Sequence, residues 1–160
     1  GGKGFQWAST LEERNRLWAA RHASYWAALK LRPGATGVVT DACVPMTELP
    51  GQVAAAAADM EAAGIMGDIV GHVGDGNFHM GYLIDPDDAD ERARAEQLNH
   101  QVVARALALG GTCTGEHGVG LHKMGFLVDE AGVGAVAMMR TIKQALDPDN
   151  IMNPGKVFSL

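Results

Sequence analysis

The fold is decided by Gly71-His72-Val73-Gly74-Asp75-Gly76-Asn77-Phe78-His79. Apolar, β-prone runs flank it, Ile65 to Val73 and Phe78 to Ile84. Asp-Gly between such runs signals a hairpin closed by a two-residue type I′ turn. With Asp75-Gly76 as that turn, Gly74 faces Asn77, Val73 faces Phe78 and His72 faces His79. Directly opposed residues of an antiparallel pair carry Cβ atoms about 4.5–5.5 Å apart on one face. Two imidazoles so placed can share one cation, or simply form a polar sheet face. Downstream, Glu116-His117 adds a carboxylate oxygen and an imidazole that titrates near neutral pH. His22 and His100 read as helix-surface residues, His122 is given no role, and Asp75 and Asn77 read as turn residues.

Working outward, Thr10 is an N-cap with Glu12 and Glu13 in the first turn of a helix to about Leu31, ended by Arg32-Pro33-Gly34. The β-branched run from Gly37 to Val44 reads as a strand. Thr47-Glu48-Leu49-Pro50 opens a second helix to about Ala63, with Gly64 as its cap. Pro86-Asp87-Asp88 opens a long helix to about Leu109, stopped by Gly110-Gly111. A short strand over Thr112 to Thr114 and a helix from about Glu130 to Leu146 complete the chain, with Asp147-Pro148 breaking the helix. The order strand, helix, strand, strand, helix, strand is the split βαβ pattern. It predicts a ferredoxin-like α+β fold, an antiparallel sheet with helices packed on one face. In that topology the last strand runs parallel to the second hairpin strand and ends away from His79. Either Glu116 reaches the histidines by a loop, which the glycines at 110, 111, 115, 118 and 120 permit, or the sheet differs from this order.

The bulk properties narrow the function. The 160 residues suit one domain, and 47% hydrophobic content is ample for a core. A net charge of −6 without a basic stripe excludes nucleic acid as the expected partner. No apolar stretch approaches the roughly 20 residues of a membrane span. Cys43 and Cys113 are too few for a disulfide framework and read as small buried apolar residues. Trp7, Trp18 and Trp26 read as packing residues. No glycine-rich phosphate loop stands in a strand-turn-helix setting.

Five motifs resemble one family in order and almost end to end. Gly71 to His79, Gly110-Gly111-Thr112-Cys113-Thr114-Gly115-Glu116-His117-Gly118-Val119-Gly120 and Asp147-Pro148…Asn153-Pro154-Gly155-Lys156 look like the C-terminal domain of FAD-linked 2-hydroxyacid dehydrogenases and oxidases. Leu17-Trp18-Ala19-Ala20-Arg21-His22 and Thr40-Asp41-Ala42-Cys43-Val44-Pro45 most resemble the cytochrome-linked D-lactate branch. The resemblance implies a piece of the cap (substrate) domain of a vanillyl-alcohol-oxidase-type flavoenzyme. Residues 1–160 then form the C-terminal part of a longer chain, whose FAD-binding domain lies outside them.

The resemblance also implies roles. His72, His79 and Glu116 bind a divalent cation, Zn²⁺ or Mn²⁺. His117 takes the substrate hydroxyl proton, and Arg21 clamps the substrate carboxylate. Asn153 belongs to a tail that approaches the flavin. FAD, held mainly by the other domain, accepts the hydride, and a cytochrome c or quinone-type acceptor takes the electrons. Relatives acting on hydroxyglutarate or glycolate carry Asn two residues after the second histidine, where this chain has Gly81. Hydroxyglutarate enzymes also put a small hydroxyl residue at the position of Tyr25. Groups for a second carboxylate are thus missing, and a small monocarboxylate such as D-lactate is expected, with glycolate or another 2-hydroxyacid as the alternative. A different class of reading is a metal-binding or oligomerising module without activity of its own. An uncovered sheet edge favours a homo-oligomer. The alanine-rich composition leans towards a bacterial cytoplasm with at most peripheral membrane contact, a mitochondrion being the alternative.

Overall fold

The computed structural model describes residues 6–160. Helix α1 (Leu11–Leu31) opens on a capping box, in which Thr10 Oγ1 accepts the Glu13 N–H and Glu13 Oε2 accepts the Thr10 N–H, both at 3.2 Å. Strands β1 (Thr36–Val39) and β2 (Ala42–Cys43) follow, then helix α2 (Leu49–Ala62). Strand β3 (Met66–His72), a 3₁₀ turn (Val73–Asp75) and strand β4 (Asn77–Ile84) form the hairpin. Helix α3 (Ala89–Ala108) starts on Asp88, whose carboxylate accepts the N–H groups of Asp90 and Glu91. Helix α4 (Met124–Leu146) breaks at Gly132 (φ 80°, ψ 158°).

Strand β4 is central, with β3 on one side and β1 and β2 end to end on the other, all antiparallel. β1 and β2 keep one register along β4, Val39 opposite Gly81 and Ala42 opposite Phe78. The expected strand 37–44 therefore passes through Thr40 and Asp41 without a bulge. The expected last strand shrinks to one antiparallel bridge, Thr112 with Cys43. This is the split βαβ order. The final helix starts earlier than expected, because Phe126 is buried against Val103 and Cys113. The break at Gly132 separates this first segment from the rest of the helix.

Alternation along β4 divides the molecule. Phe78, Met80, Tyr82 and Ile84 enter a core with Leu49 and Ala56 of α2 and Leu98 and Val102 of α3. Buried Gln52 ties these two helices together, its Nε2 donating to Val102 O at 2.9 Å. Asn77, His79 and Gly81 point to the other face, where α1 lies across the sheet. Arg32 at the end of α1 donates to Leu83 O and pairs with Glu91, at 3.0 and 2.8 Å. Of the α1 residues only Ala28 is buried. Trp18 and Trp26 of α1 and Trp7 ahead of it, expected to pack, are exposed among the described residues.

Candidate active site

The hairpin register differs from the expected one by two residues. His72 pairs with Asn77, and Val70 with His79. The connection is longer than an Asp-Gly turn, since Val73–Asp75 form a 3₁₀ turn and Gly76 alone takes positive φ, at 73°. A Cβ at position 76 would overlap Val44 O, so glycine is required there. A slip of two preserves the face of every side chain, whereas a slip of one would reverse it. His72 and His79 are therefore diagonal neighbours on one face, with ring centroids 6.3 Å apart.

Glu116 and His117 arrive by a loop built around Asp41, a residue the sequence reading used only as a family marker. Asp41 stands beside His79, its Oδ1 3.6 Å from His79 Nδ1. Its buried carboxylate accepts Thr114 Oγ1–H and the N–H groups of Gly115, Glu116 and His117, at 2.8–3.1 Å. Asn77 Nδ2 donates to the other oxygen at 2.8 Å, so Asn77 serves the loop rather than the turn. Lys123 Nζ lies 3.4 Å away and donates to Asp41 O at 2.7 Å. Burial alone would raise the Asp41 pKa. The bonds from His117, Asn77, Thr114 and Glu116 outweigh it and hold the carboxyl far below the usual aspartate range. A Cβ on residue 115 would overlap Asn77 Nδ2, which explains Gly115. The signal in the sequence is an acid inside a run that otherwise reads as a buried strand.

Two groups of donors could hold a cation, Asp41 with His79 and His117, and His72 with His79 and Glu116; in each, one donor atom per residue lies within 4.8 Å of the others. The lone pairs of Asp41 are spent on N–H and O–H donors, which leaves the second group. His79 Nδ1 faces Thr40 O at 3.2 Å and Nε2 faces Glu116 Oε1 at 2.8 Å. A neutral imidazole has one N–H, so one of these acceptor contacts needs a second proton or a cation. With Nδ1–H on Thr40 O, Nε2 presents its lone pair beside Glu116, as a ligating histidine does. Arg21 Nη2 lies 3.2 Å from His72 Nε2. Arginine only donates, so that nitrogen also carries a lone pair. His117 stacks on His79, with centroids 4.8 Å apart and planes 7° from parallel. The donor set fits Zn²⁺ or Mn²⁺.

Arg21, His79, Glu116 and His117 thus border one cleft of about 240 Å³, and His72 stands at its edge. Asn153 is not among them. It is exposed, with φ 48°, in a separate cleft of the C-terminal tail with Lys143 and Lys156. His22 and His100 are exposed, as expected, and so is His122. Cys113 is buried and Cys43 half-buried, both as free thiols.

Residues 1–157 match the family model of the FAD linked oxidases, C-terminal domain. The chain belongs to that family. This FAD-linked oxidase C-terminal domain is 49% identical along its whole length to a probable D-lactate dehydrogenase, mitochondrial, of Danio rerio, covering 32% of that protein. It is 41% identical over 98% of its length to the D-lactate dehydrogenase (cytochrome), mitochondrial, of Arabidopsis thaliana, covering 28% of it. To glycolate oxidase subunit GlcD of Bacillus subtilis it is 38% identical over 96% of its length, covering 32%. The domain therefore spans about a third of the curated relatives it matches. It superposes on 4-ethylphenol oxidase from Gulosibacter chungangensis with a TM-score of 0.61, over 94% of this chain and 31% of that one, at 17% identity. The fold is thus shared with a solved oxidase, in agreement with the vanillyl-alcohol-oxidase-type architecture expected.

Proposed function

We propose that this domain carries the substrate- and metal-binding groups of an FAD-dependent D-2-hydroxyacid dehydrogenase, with D-lactate oxidised to pyruvate. One observation carries the reading. His72, His79 and Glu116 converge on one point, with His117 stacked beside them and Arg21 at the rim. D-lactate is favoured by the names of the relatives at 38–49% identity. Glycolate is the second reading, favoured by the GlcD likeness at 38%.

His72, His79 and Glu116 would hold the cation. When bound, the cation supplies Lewis acidity to the substrate hydroxyl, and FAD accepts the hydride from C2. Arg21 and the cation call on the same lone pair of His72. With the His72 lone pair given to a cation, Arg21 would be free to pair its guanidinium with the substrate carboxylate, as a planar fork suits. His117 takes the hydroxyl proton, its ring steadied by His79 and its backbone by Asp41. Asn153 would meet the flavin from the tail. Electrons would pass to a cytochrome or quinone-type acceptor. The relatives named mitochondrial favour that compartment, the alternative to the expected bacterial cytoplasm.

Elemental analysis tests the centre directly. About one Zn or Mn per chain is expected, lost in each of His72→Ala, His79→Ala and Glu116→Ala. A chain that takes up neither metal on reconstitution, or variants that keep it, would remove the basis of the proposal.

A further inference from the structure

Asp68 lines the same cleft as Arg21, His79 and Glu116, from strand β3. It stands opposite Gly81, two residues along the strand from Val70, the partner of His79. Strand geometry sets that separation at about 7 Å. Val70 and Val39 line the cleft on the sheet side, and Ser24 and Tyr25 line it from α1. Gly81 leaves space that the Asp68 carboxylate fills, since a Cβ on Gly81 would overlap Asp68 Oδ1. Partial burial pushes the Asp68 carboxyl upward, and its own backbone N–H is what eases it. Among the described residues no cation pairs with it. The cleft thus holds cationic and ligating groups at one end and an acidic group without a counter-charge at the other.

We infer that Asp68 is a specificity determinant that closes this cleft to 2-hydroxyacids bearing a second, distal carboxylate and admits those with an uncharged tail. This rests on the hydroxyacid reading above. A substrate held at Arg21 and the histidines sends its side chain along Val70 and Val39 towards Asp68. A distal carboxylate arriving there meets a like group in a half-buried site, where both cannot ionise freely. An apolar or hydroxyl-bearing tail meets no such opposition, and a hydroxyl can donate to Asp68.

The test compares D-2-hydroxyglutarate with D-2-hydroxypentanoate, which has the same five-carbon chain and lacks the distal carboxylate. Dissociation constants are measured by calorimetry on the metal-loaded holoprotein, with D-lactate as reference. Hydroxypentanoate should bind at least about tenfold more tightly than hydroxyglutarate, and Asp68→Asn should shrink that ratio by about tenfold. Asp68→Glu should retain it. D-lactate affinity should stay within about twofold in both variants, which shows that the site is intact. An unchanged ratio in Asp68→Asn, with D-lactate still bound, overturns the role of Asp68 and leaves the hydroxyacid reading standing. Failure of the original protein to bind D-lactate and hydroxypentanoate alike overturns both.

Discussion

At the scale of single residues, the site hangs on Asp41. Removing the charge of this buried carboxylate leaves the part-buried N–H groups of Gly115, Glu116 and His117 without an anionic acceptor. Breaking such a buried network costs about 3 kcal/mol or more. Asp41→Asn should lower the thermal midpoint by several degrees and weaken Zn²⁺ or Mn²⁺ binding about 10–100-fold. Calorimetric melting and metal titration check this, and unchanged metal affinity would mean that Glu116 is held in place by something else. Cys113 gives a second prediction. Burial, aided by Glu130, pushes its thiol up to about 12. Over the interval between about 8.5 for an unfolded thiol and that value, the folded chain keeps a proton that the unfolded chain has lost, so stability falls as pH rises. A thiol reagent at about pH 8 should therefore modify Cys113 only after denaturation.

At the scale of elements, the hairpin is governed by its turn. Gly76→Ala would force a side chain into positive φ and against Val44 O, a cost of about 1–3 kcal/mol. Urea unfolding should show that loss, while Gly74→Ala, where a Cβ meets nothing within 4 Å, should change little. The end of α4 gives a pH prediction. Asp147 pairs with Lys143 and accepts the N–H groups of Ile151 and Met152 at 3.0 and 2.9 Å. The Lys143 bond, against opposing burial, lowers its pKa. Its contribution is then present above the ordinary aspartate value, about 3.9, and is lost as pH falls through the lower folded value. Acidification below about pH 4, or Asp147→Asn at neutral pH, should speed hydrogen exchange at the Ile151 and Met152 amides, corrected for intrinsic rate. The hairpin was legible because its apolar runs and Asp-Gly punctuation are local. Its register was not, because Val73 to Asp75 coil into a 3₁₀ turn that no pattern of period two announces. The start of α4 was hidden likewise, since Phe126 is recruited to Val103 and Cys113 by tertiary burial.

At the scale of the whole molecule, the described residues show apolar side chains to solvent on both α1 and α4. Trp26 is 65% exposed and Leu31 69%, while Val133 and Leu146 reach 76% and 74%. Such surface is more than scattered side chains normally account for. The isolated chain should self-associate with rising concentration, and an unchanging monomer in sedimentation velocity would count against this. No described helix is long and apolar enough to cross a membrane.

The sequence by itself determined the class of fold, the family, and the grouping of His72, His79, Glu116, His117 and Arg21. Each rests on short-range information: apolar periodicity, caps, turn residues and motif spelling. Face membership depends only on odd or even spacing, so the histidines stayed together although the expected register was two residues off. Only the tertiary structure decided how Glu116 reaches them, what Asp41 and Asn77 are for, and that Asp68 shares their cleft. Those answers depend on strands far apart in the chain placing charges side by side. The physical reason is that a buried carboxylate must find its donors wherever the fold supplies them.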